Sequence, residues 1–198
     1  MARYSDRDPY VDGETGVLKN KLGIRDQATL EGAEADLVSI RSQELWLSPL
    51  EGKFDLTHLK KVHRHLFHDV YLWAGELRTV DISKGDNRFA HHAFLEGAAE
   101  TIFARLRKEN YLAGLNVDVF CSRAAFYLGE LNALHPFRDG NGRTQREFLQ
   151  MVARRNQVIL LWKLVSRNEL LRASIDSFGG DLAGLTMILR RIIRELRL

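Results

Sequence analysis

Apolar residues recur every three to four positions along most of this 198-residue chain, and that period restricts it to a mainly helical fold. Seven such stretches are separated by short polar segments, and they define seven predicted helices. Their apolar stripes run from Leu30 to Ile40, Leu59 to Val70, Leu95 to Leu106, Val117 to Leu131, Phe148 to Val152, Leu170 to Ser174 and Leu182 to Leu196. The predicted N-terminal caps are Asp26, Asp55, Asn116 and Asp181. We therefore expect one all-α domain over residues 26–198, preceded by an irregular, turn-rich arm over residues 1–25.

One stretch follows a different period. Residues 77–83 alternate between apolar and polar side chains, and a Gly-Asp-Asn turn at residues 85–87 leads into a short return segment. This pattern predicts a β-hairpin over about residues 77–90. Because an isolated two-stranded hairpin is only marginally stable in water, we expect it to lean on the helices or to be stabilised by a strand that pairs with its edge.

The segment between residues 134 and 146 interrupts the helical pattern and is the most informative part of the sequence. Gly140 and Gly142 bracket Asn141, so the backbone there can turn sharply and adopt a positive φ. Because a helix begins directly afterwards, its first N–H groups point into the loop without helical partners. Such groups bind anions, phosphates above all, and Gly142 has no side chain to keep a phosphate away from the backbone.

The side chains around this loop are of the types that nucleotidyl transfer needs. Asp139 can hold Mg²⁺, which prefers carboxylate and phosphate oxygens. Arg143 and Arg146 stand three positions apart on one helix face and can bind phosphate oxygens. His135 titrates near neutral pH and can take a proton from an attacking hydroxyl. Phe137 is expected to anchor the loop in the core.

Each feature has an ordinary alternative when it is taken alone, because a histidine before a proline, a Gly-Asn-Gly turn and surface arginines are all common. Together, eight specified positions fall within 12 residues. The segment resembles the signature of the Fic family, His-x-Phe-x-(Asp/Glu)-Gly-Asn-Gly-Arg-x-x-Arg. Residues 73–85 are similar to the flap of that family, and residues 8–23 are similar to the start of small bacterial Fic proteins. The matching positions are His135, Phe137, Asp139, Gly140, Asn141, Gly142, Arg143 and Arg146.

The resemblance implies a Fic-type helical bundle and a protein adenylyltransferase, an enzyme that moves AMP from ATP onto a protein hydroxyl. His135 would deprotonate the hydroxyl, and Asp139 would ligate Mg²⁺ between the α- and β-phosphates. Asn141 and the backbone of residues 140–142 would cradle the phosphates. The resemblance places Arg143 at the β-phosphate region and Arg146 at the γ-phosphate. The target segment would add as a strand along the flap at Ile82, Ser83 and Lys84.

In the implied reaction, the target oxygen attacks the α-phosphorus in line and pyrophosphate leaves. Relatives that phosphorylate their targets carry Lys where Gly142 stands, so the glycine favours AMP transfer over kinase chemistry. Transfer of UMP or phosphocholine remains an alternative within the family. Another alternative is a catalytically silent Fic-fold module that only binds a partner.

Many Fic proteins carry an inhibitory helix, (Ser/Thr)-x-x-x-Glu-(Gly/Asn), whose glutamate pairs with the second arginine of the signature. In this sequence no glutamate that precedes Gly or Asn has Ser or Thr four positions earlier. The chain therefore resembles the stand-alone toxin class, and we expect a separate small helical antitoxin to place a glutamate against Arg146. Small members of that class are similar in layout to enzymes that modify the B subunits of DNA gyrase and topoisomerase IV, which suggests those targets.

The remaining composition argues against other classes. The formal net charge is only +3, and the arginines are scattered, so no direct nucleic-acid binding is expected. The single cysteine, Cys121, is expected to be buried and indicates a reducing, cytoplasmic setting. Neither a secretory h-region nor an apolar run long enough to span a bilayer is visible. The basic cluster expected to form a solvated helix face is Arg190, Arg191, Arg194 and Arg197.

The histidines outside the signature could suggest a metal site, but none forms a His-Glu-x-x-His motif. Those between residues 58 and 68 are expected on a polar helix face, and solvated side chains are the favoured interpretation. Trp73, at the start of the flap region, is expected to pack rather than to stack on a base. The histidines concerned are His58, His63, His65, His68, His91 and His92.

Overall fold

The computed structural model describes residues 8–85 and 87–196 of the chain. Residues 1–7 of the predicted arm, Asp86 in the predicted turn and Arg197 of the basic cluster lie outside these residues. Within them the chain forms seven α-helices, which confirms the all-α expectation. The helices are α1 (Gln27–Leu47), α2 (Leu56–Phe67), α3 (Leu95–Lys108), α4 (Val117–Leu134), α5 (Asn141–Arg155), α6 (Arg167–Phe178) and α7 (Ala183–Ile192).

The helix starts agree with the capping residues found in the sequence. The side chains of Asp26, Asp55 and Asn116 each accept a backbone N–H from the first turn of α1, α2 and α4. Asp181 lies one residue before the observed cap of α7, and its side chain accepts the N–H of Ala183 at 2.9 Å. These local hydrogen bonds satisfy N–H groups that a helix cannot pair internally.

The core has two parts that meet around α2 and α5. The larger part is centred on α4, which packs against α3, α5, α6 and α7. Cys121 is fully buried there, as expected, and burial raises the pKa of its thiol. The smaller part joins α1 and α2 to the segment before the flap. Each fully buried large apolar side chain contributes about 1.5–3 kcal/mol to folding, so α4 and α5 are well fixed relative to each other.

The predicted apolar stripe of α1 is wrong in phase. Ile40 is 54% exposed, and the buried line of α1 instead runs through Leu30, Glu34, Val38 and Leu45. α1 packs mainly against α2 and therefore buries only a narrow edge. A glutamate occupies that edge, so the buried line does not appear as an apolar period.

The predicted hairpin is shorter than the alternating sequence. Its strands are β1 (Ser83–Lys84) and β2 (Asn87–Arg88), which pair antiparallel with Ser83 opposite Arg88. Residues 77–82 form no strand: the Val80 carbonyl accepts from the buried Arg78 side chain, and the Arg78 backbone N–H donates to Pro136 O in the loop instead of to a neighbouring strand.

A second small sheet was not predicted. β3 (Val158–Leu160) pairs antiparallel with β4 (Ile193–Glu195), so α7 ends at Ile192 and does not continue to Leu196. The apolar period of α7 runs on into β4, and this continuity hides the end of the helix. No helix of the described residues is both long and apolar enough to cross a lipid bilayer.

Candidate functional site

His135 lies where α4 ends, in a backbone conformation that is unusual for a residue with a side chain. Its φ is +46°, in the left-handed region, where glycine is normally found at a helix C-terminus. The strain is held by neighbouring bonds: the His135 N–H donates to Leu131 O at 3.0 Å, and Arg78 Nε donates to His135 O at 2.8 Å. This conformation turns the histidine out of the helix toward the loop.

The surroundings of the His135 ring fix its tautomer and its charge. Nδ1 lies 3.2 Å from the carbonyl oxygen of Asn132, which can only accept, so Nδ1 carries the proton and Nε2 the lone pair. The ring stacks on Phe89 at a centroid distance of 3.7 Å. Burial lowers the pKa of His135 to about 3, so the ring is neutral near pH 7. A half-buried, neutral imidazole with Nε2 unprotonated can accept a proton.

The loop after His135 is held from behind by Asn141. The Asn141 side chain is buried, accepts the N–H of Phe137 at 2.9 Å and donates to Phe137 O at 2.7 Å. Because both amide groups of the side chain are already used inside the loop, the phosphate contact predicted for Asn141 would fall to its backbone. Phe137 is buried as expected. Only the backbone of Asn141 can face a ligand.

His63 on α2 is a second support, and here the sequence interpretation was wrong. His58 and His63 are buried rather than solvated. His63 accepts the N–H of Gly75 at Nδ1 (2.8 Å), so its Nε2–H donates to Asp139 O at 3.0 Å. Its ring stacks on Phe137 with centroids 3.9 Å apart. The two hydrogen bonds explain why a buried imidazole is tolerated. They also join the loop to Gly75, in the segment that precedes the hairpin strands.

Gly140 is required by both conformation and space. Its φ is +78°, which confirms the predicted turn, and a Cβ there would lie 2.4 Å from Cζ of Phe67. Gly142 differs, since it lies inside α5 and its nearest neighbour to a Cβ would be Arg146 Nη1 at 3.6 Å. The surface above Gly142 is therefore open.

Among the described residues, α5 shares the absence of a side-chain cap with α3 and α7, whereas α1, α2, α4 and α6 are each capped by a side chain. The start of α5 differs from the other two uncapped starts because it lies beside the open surface at Gly142 and two arginines. Its first N–H groups have no helical partner, and the helix dipole adds partial positive charge at the same point. Together with the open surface at Gly142, this arrangement suits an anion.

Arg143 and Arg146 lie beside this N-terminus on one side of α5. Arg143 is half-buried above the Phe67 ring, 4.7 Å from its centroid. In residues 8–85 and 87–196, no carboxylate lies within 4.0 Å of the Arg146 guanidinium. Burial and the charge of Arg143 lower the pKa of Arg146, yet a guanidinium stays charged near neutral pH. Asp139 is exposed, with Oδ1 3.6 Å from Arg143 Nη2. The structure thus brings the predicted Asp139, Arg143 and Arg146 together.

Two residues near Arg143 were missed in the sequence. Glu34 on α1 is buried, and its Oε1 lies 2.6 Å from Arg143 Nη2. The Tyr71 hydroxyl donates to Glu34 Oε2. Burial, followed by the charge of Glu34, raises the pKa of Tyr71, so this hydroxyl keeps its proton. The local sequence pattern did not mark Glu34, because the buried line of α1 does not appear as an apolar period.

The base of the flap is tied to the same loop. Arg78 is fully buried and donates to the carbonyls of His135, Val80 and Ala90. Beyond it, Ile82 is buried, Ser83 is half-buried and Lys84 is exposed. The predicted docking residues therefore follow directly after a segment that the Arg78 side chain holds to the loop. The positive charge of Lys84 also adds, after burial, to the lowering of the His135 pKa.

The arm also reaches the loop. Asp8 pairs with Arg138 at 2.8 Å, and both side chains are almost fully buried. Trp73 packs on Tyr71 with centroids 4.3 Å apart, in agreement with the packing role expected for it. His91 and His92 are not simply solvated, because both contact the carboxylate of Asp81, at 3.1 and 2.9 Å.

Three comparisons place these features among known proteins. The Fic/DOC family model matches residues 53–153. Protein adenylyltransferase VbhT of Bartonella schoenbuchensis is 48% identical over 98% of this chain, which spans 41% of that relative's length. A protein of Escherichia coli named Probable protein adenylyltransferase Fic is 37% identical over 96% of this chain and 94% of its own length. Among solved structures, the N-terminal Fic domain of a VirB-translocated Bep effector protein from Bartonella quintana, with bound ADP, superposes with a TM-score of 0.90 at 26% identity, covering 98% of both chains.

Proposed function

The chain belongs to the Fic/DOC family, and from this premise we propose that it is a protein adenylyltransferase that moves AMP from ATP to a hydroxyl side chain of another protein. The uncapped N-terminus of α5, open above Gly142 and flanked by Arg143 and Arg146, carries the proposal. A triphosphate fits this site because backbone N–H groups, a helix dipole and two guanidinium groups all favour negative charge.

His135 acts as the base in this mechanism. The target oxygen forms a bond to the α-phosphorus, the bond from that phosphorus to the leaving pyrophosphate breaks, and Nε2 of His135 takes the hydroxyl proton. The bond from Nδ1 to Asn132 O orients the ring for this role. Because little covalent chemistry falls to the protein in such a transfer, positioning and charge neutralisation supply most of the rate.

The phosphates are held by groups that the loop presents. The backbone of residues 140–142 approaches the phosphates, Arg143 binds the β-phosphate region and Arg146 the γ-phosphate. The exposed carboxylate of Asp139 is a suitable ligand for Mg²⁺, which would neutralise phosphate charge when bound. We assign the reaction to the cytoplasm on the basis of the single buried cysteine.

The target would dock on the flap as an added strand at Ile82, Ser83 and Lys84. Two-residue strands leave most backbone groups of the hairpin without a ladder partner, and an incoming strand would satisfy them. Such docking selects an extended segment with a hydroxyl rather than a particular sequence. The B subunits of DNA gyrase or topoisomerase IV are the targets that we propose to test first.

A separate small helical antitoxin would supply a glutamate to Arg146. That guanidinium has no carboxylate partner among the described residues, whereas Arg143 has Glu34. Expression of the chain alone should therefore arrest bacterial growth, and expression of the His135→Ala variant should not. Equal growth with both would count against the toxin proposal.

Labelling with radioactive ATP tests the reaction itself. A bacterial lysate is incubated with the chain and either α-³²P-ATP or γ-³²P-ATP, and the proteins are separated on a gel. AMP transfer predicts label on a protein from the α position only. His135→Ala should reduce the rate of labelling at least about 100-fold while ATP binding is kept, and His68→Ala, which changes a partly exposed histidine outside the proposed site, should label as the wild type does.

The other outcomes identify the alternatives. Label from the γ position alone would indicate kinase chemistry, and label from α-³²P-UTP but not from ATP would indicate UMP transfer. The absence of label from either nucleotide would support the silent binding module. Undiminished labelling by His135→Ala would remove His135 as the base.

A further inference from the structure

Glu34 is an acidic residue in a largely buried position, where removing its carboxylate from water is unfavourable. It lies on the buried edge of α1 and is only 7% exposed, among apolar neighbours such as Leu30 and Val38. Removing a carboxylate from water costs several kcal/mol unless charge and hydrogen bonds compensate it. Replacing a buried ion pair with apolar residues is often neutral or stabilising, so stability alone does not account for a glutamate here.

Among the residues that the structure describes, Glu34 has two polar contacts, one with an arginine and one with a tyrosine. Oε1 lies 2.6 Å from Nη2 of Arg143, while Oε2 accepts the hydroxyl hydrogen of Tyr71. Tyr71 is itself fixed, since it is 3% exposed and stacks on Trp73. The carboxylate is therefore held at a defined position by a neutral donor on one side and pairs with a cation on the other.

Three groups contact the Arg143 guanidinium. Glu34 and Asp139 both approach Nη2, at 2.6 and 3.6 Å, and the Phe67 ring lies beneath the guanidinium, 4.7 Å from its carbon. The side chain is nevertheless 29% exposed at the open side of the loop. A planar guanidinium that is fixed at one nitrogen and on one face presents its remaining N–H groups in one orientation.

We infer that Glu34, held by Tyr71, is a positioning residue that orients the Arg143 guanidinium toward the phosphates of the bound nucleotide. The inference rests on the proposed function and adds α1 and the segment before the flap to the active site. It also distinguishes the two arginines, because Arg143 is preoriented by a carboxylate whereas Arg146 has no such partner within residues 8–85 and 87–196. Holding a group in its reactive geometry before the substrate arrives lowers the cost of orientation during the reaction.

The first test observes the Arg143 guanidinium directly and does not depend on AMP transfer. In side-chain ¹⁵N NMR spectra, Arg143 of the wild type should show separate Nη signals, because the ion pair slows rotation about the Cζ–Nε bond. Arg143→Lys assigns these signals by removing them. Glu34→Gln should merge them, while Glu31→Gln, an exposed change one turn earlier in the same helix, should leave them separate. Separate signals in Glu34→Gln would overturn the inference.

The second test is a double-mutant cycle on AMP transfer. Glu34→Gln should lower kcat about 10-fold and change the KM for ATP no more than about threefold, because orientation rather than binding is lost. In an Arg143→Ala background, the same change should alter kcat less than about twofold. An equal loss in both backgrounds would show that Glu34 acts on the fold and not through Arg143, and would overturn the inference.

The Tyr71 hydroxyl offers a milder change to the same contact. Tyr71→Phe removes only the hydroxyl that holds Glu34, so it should reproduce part of the loss in kcat even if Glu34→Gln folds poorly; wild-type kcat and separate Nη signals in Tyr71→Phe would contradict the role of Tyr71. If the wild type transfers no AMP, the proposed function fails, while the Nη signals still decide whether Glu34 orients Arg143.

Discussion

The loop between α4 and α5 and the flap beside it are held in opposite ways. In the loop, His63 and Arg78 donate to the backbone carbonyls of Asp139 and His135. Asp8 also pairs with the side chain of Arg138. The flap beyond Ile82 has two strands of two residues each and an exposed Lys84. The proposed chemistry needs the fixed geometry of the loop, and the short strands described for the flap leave edge groups that the proposed partner strand would pair with.

The flap is connected to the loop on both sides of its hairpin. Arg78 ties the base of the flap to the loop through backbone carbonyls, and Phe89 stacks on His135 from the other end of the hairpin. A partner strand on the flap would therefore dock at a fixed distance from the histidine, although the hairpin itself is weakly held. Under the docking proposal, this coupling would let a small hairpin place a target hydroxyl near His135.

A glycine-to-alanine change in the loop and one in the flap should differ most in their effect on the free energy of unfolding. Gly140→Ala places a Cβ 2.4 Å from Phe67 at a φ of +78°, so it should reduce the free energy of unfolding by about 3 kcal/mol or more. Gly85→Ala also has a positive φ, of +62°, but a Cβ there meets no atom within 4 Å. It should cost about 1 kcal/mol. Equal losses in urea denaturation would contradict the contrast between loop and flap.

Breaking the flap should remove target labelling without affecting the loop. Ser83→Pro removes a backbone N–H and blocks an added strand, so labelling of lysate proteins should fall about 10- to 100-fold. ATP affinity and the urea midpoint should stay at wild-type values. Ser83→Ala keeps the backbone and should label normally. Wild-type labelling by Ser83→Pro would separate the flap from target docking.

The pH dependence of the free energy of unfolding should report on His63, the buried histidine that donates to the loop at Asp139 O. Burial lowers the pKa of His63 to about 3, against 6.5 for a free histidine, so the unfolded chain binds one more proton between these values. The stability that this neutral ring provides is complete above pH 6.5 and is lost as the pH falls toward 3. The free energy of unfolding should drop by up to about 1.4 kcal/mol per pH unit from this group.

His63→Gln should lower that slope by about one proton. The half-buried His135 contributes in the same direction, so part of the slope should persist in His63→Gln. A slope that is identical in the wild type and His63→Gln would show that His63 is not buried in its neutral form.

The sequence predicts what depends on local pattern. Helix caps such as Asp26 and Asp55 and the positive φ at Gly140 follow from hydrogen bonds and sterics within a few residues. The signature also identified the residues around the open end of α5, which the structure brings together. Their catalytic roles remain predictions.

What the sequence did not reveal depends on contacts between distant segments. Glu34 meets Arg143, and His63 meets Asp139, only after α1 and α2 have packed on α5. A buried polar residue looks like a surface residue in a single sequence, because nothing in its local period identifies the partner that compensates it. The end of α7 was missed for a similar reason, since pairing with β3 overrides a continuous apolar period.

The central claim is that the open surface at Gly142 holds the phosphates, and a lysine placed there tests it most directly. A side chain at Gly142 has room, with Arg146 Nη1 the nearest atom at 3.6 Å, so Gly142→Lys should fold normally. The matched control is Gly97→Lys on the exposed face of α3, where a Cβ meets no atom within 4 Å. We predict that Gly142→Lys lowers the rate of AMP transfer at least about 100-fold while Gly97→Lys keeps the wild-type rate. AMP transfer by Gly142→Lys at the wild-type rate would contradict the claim.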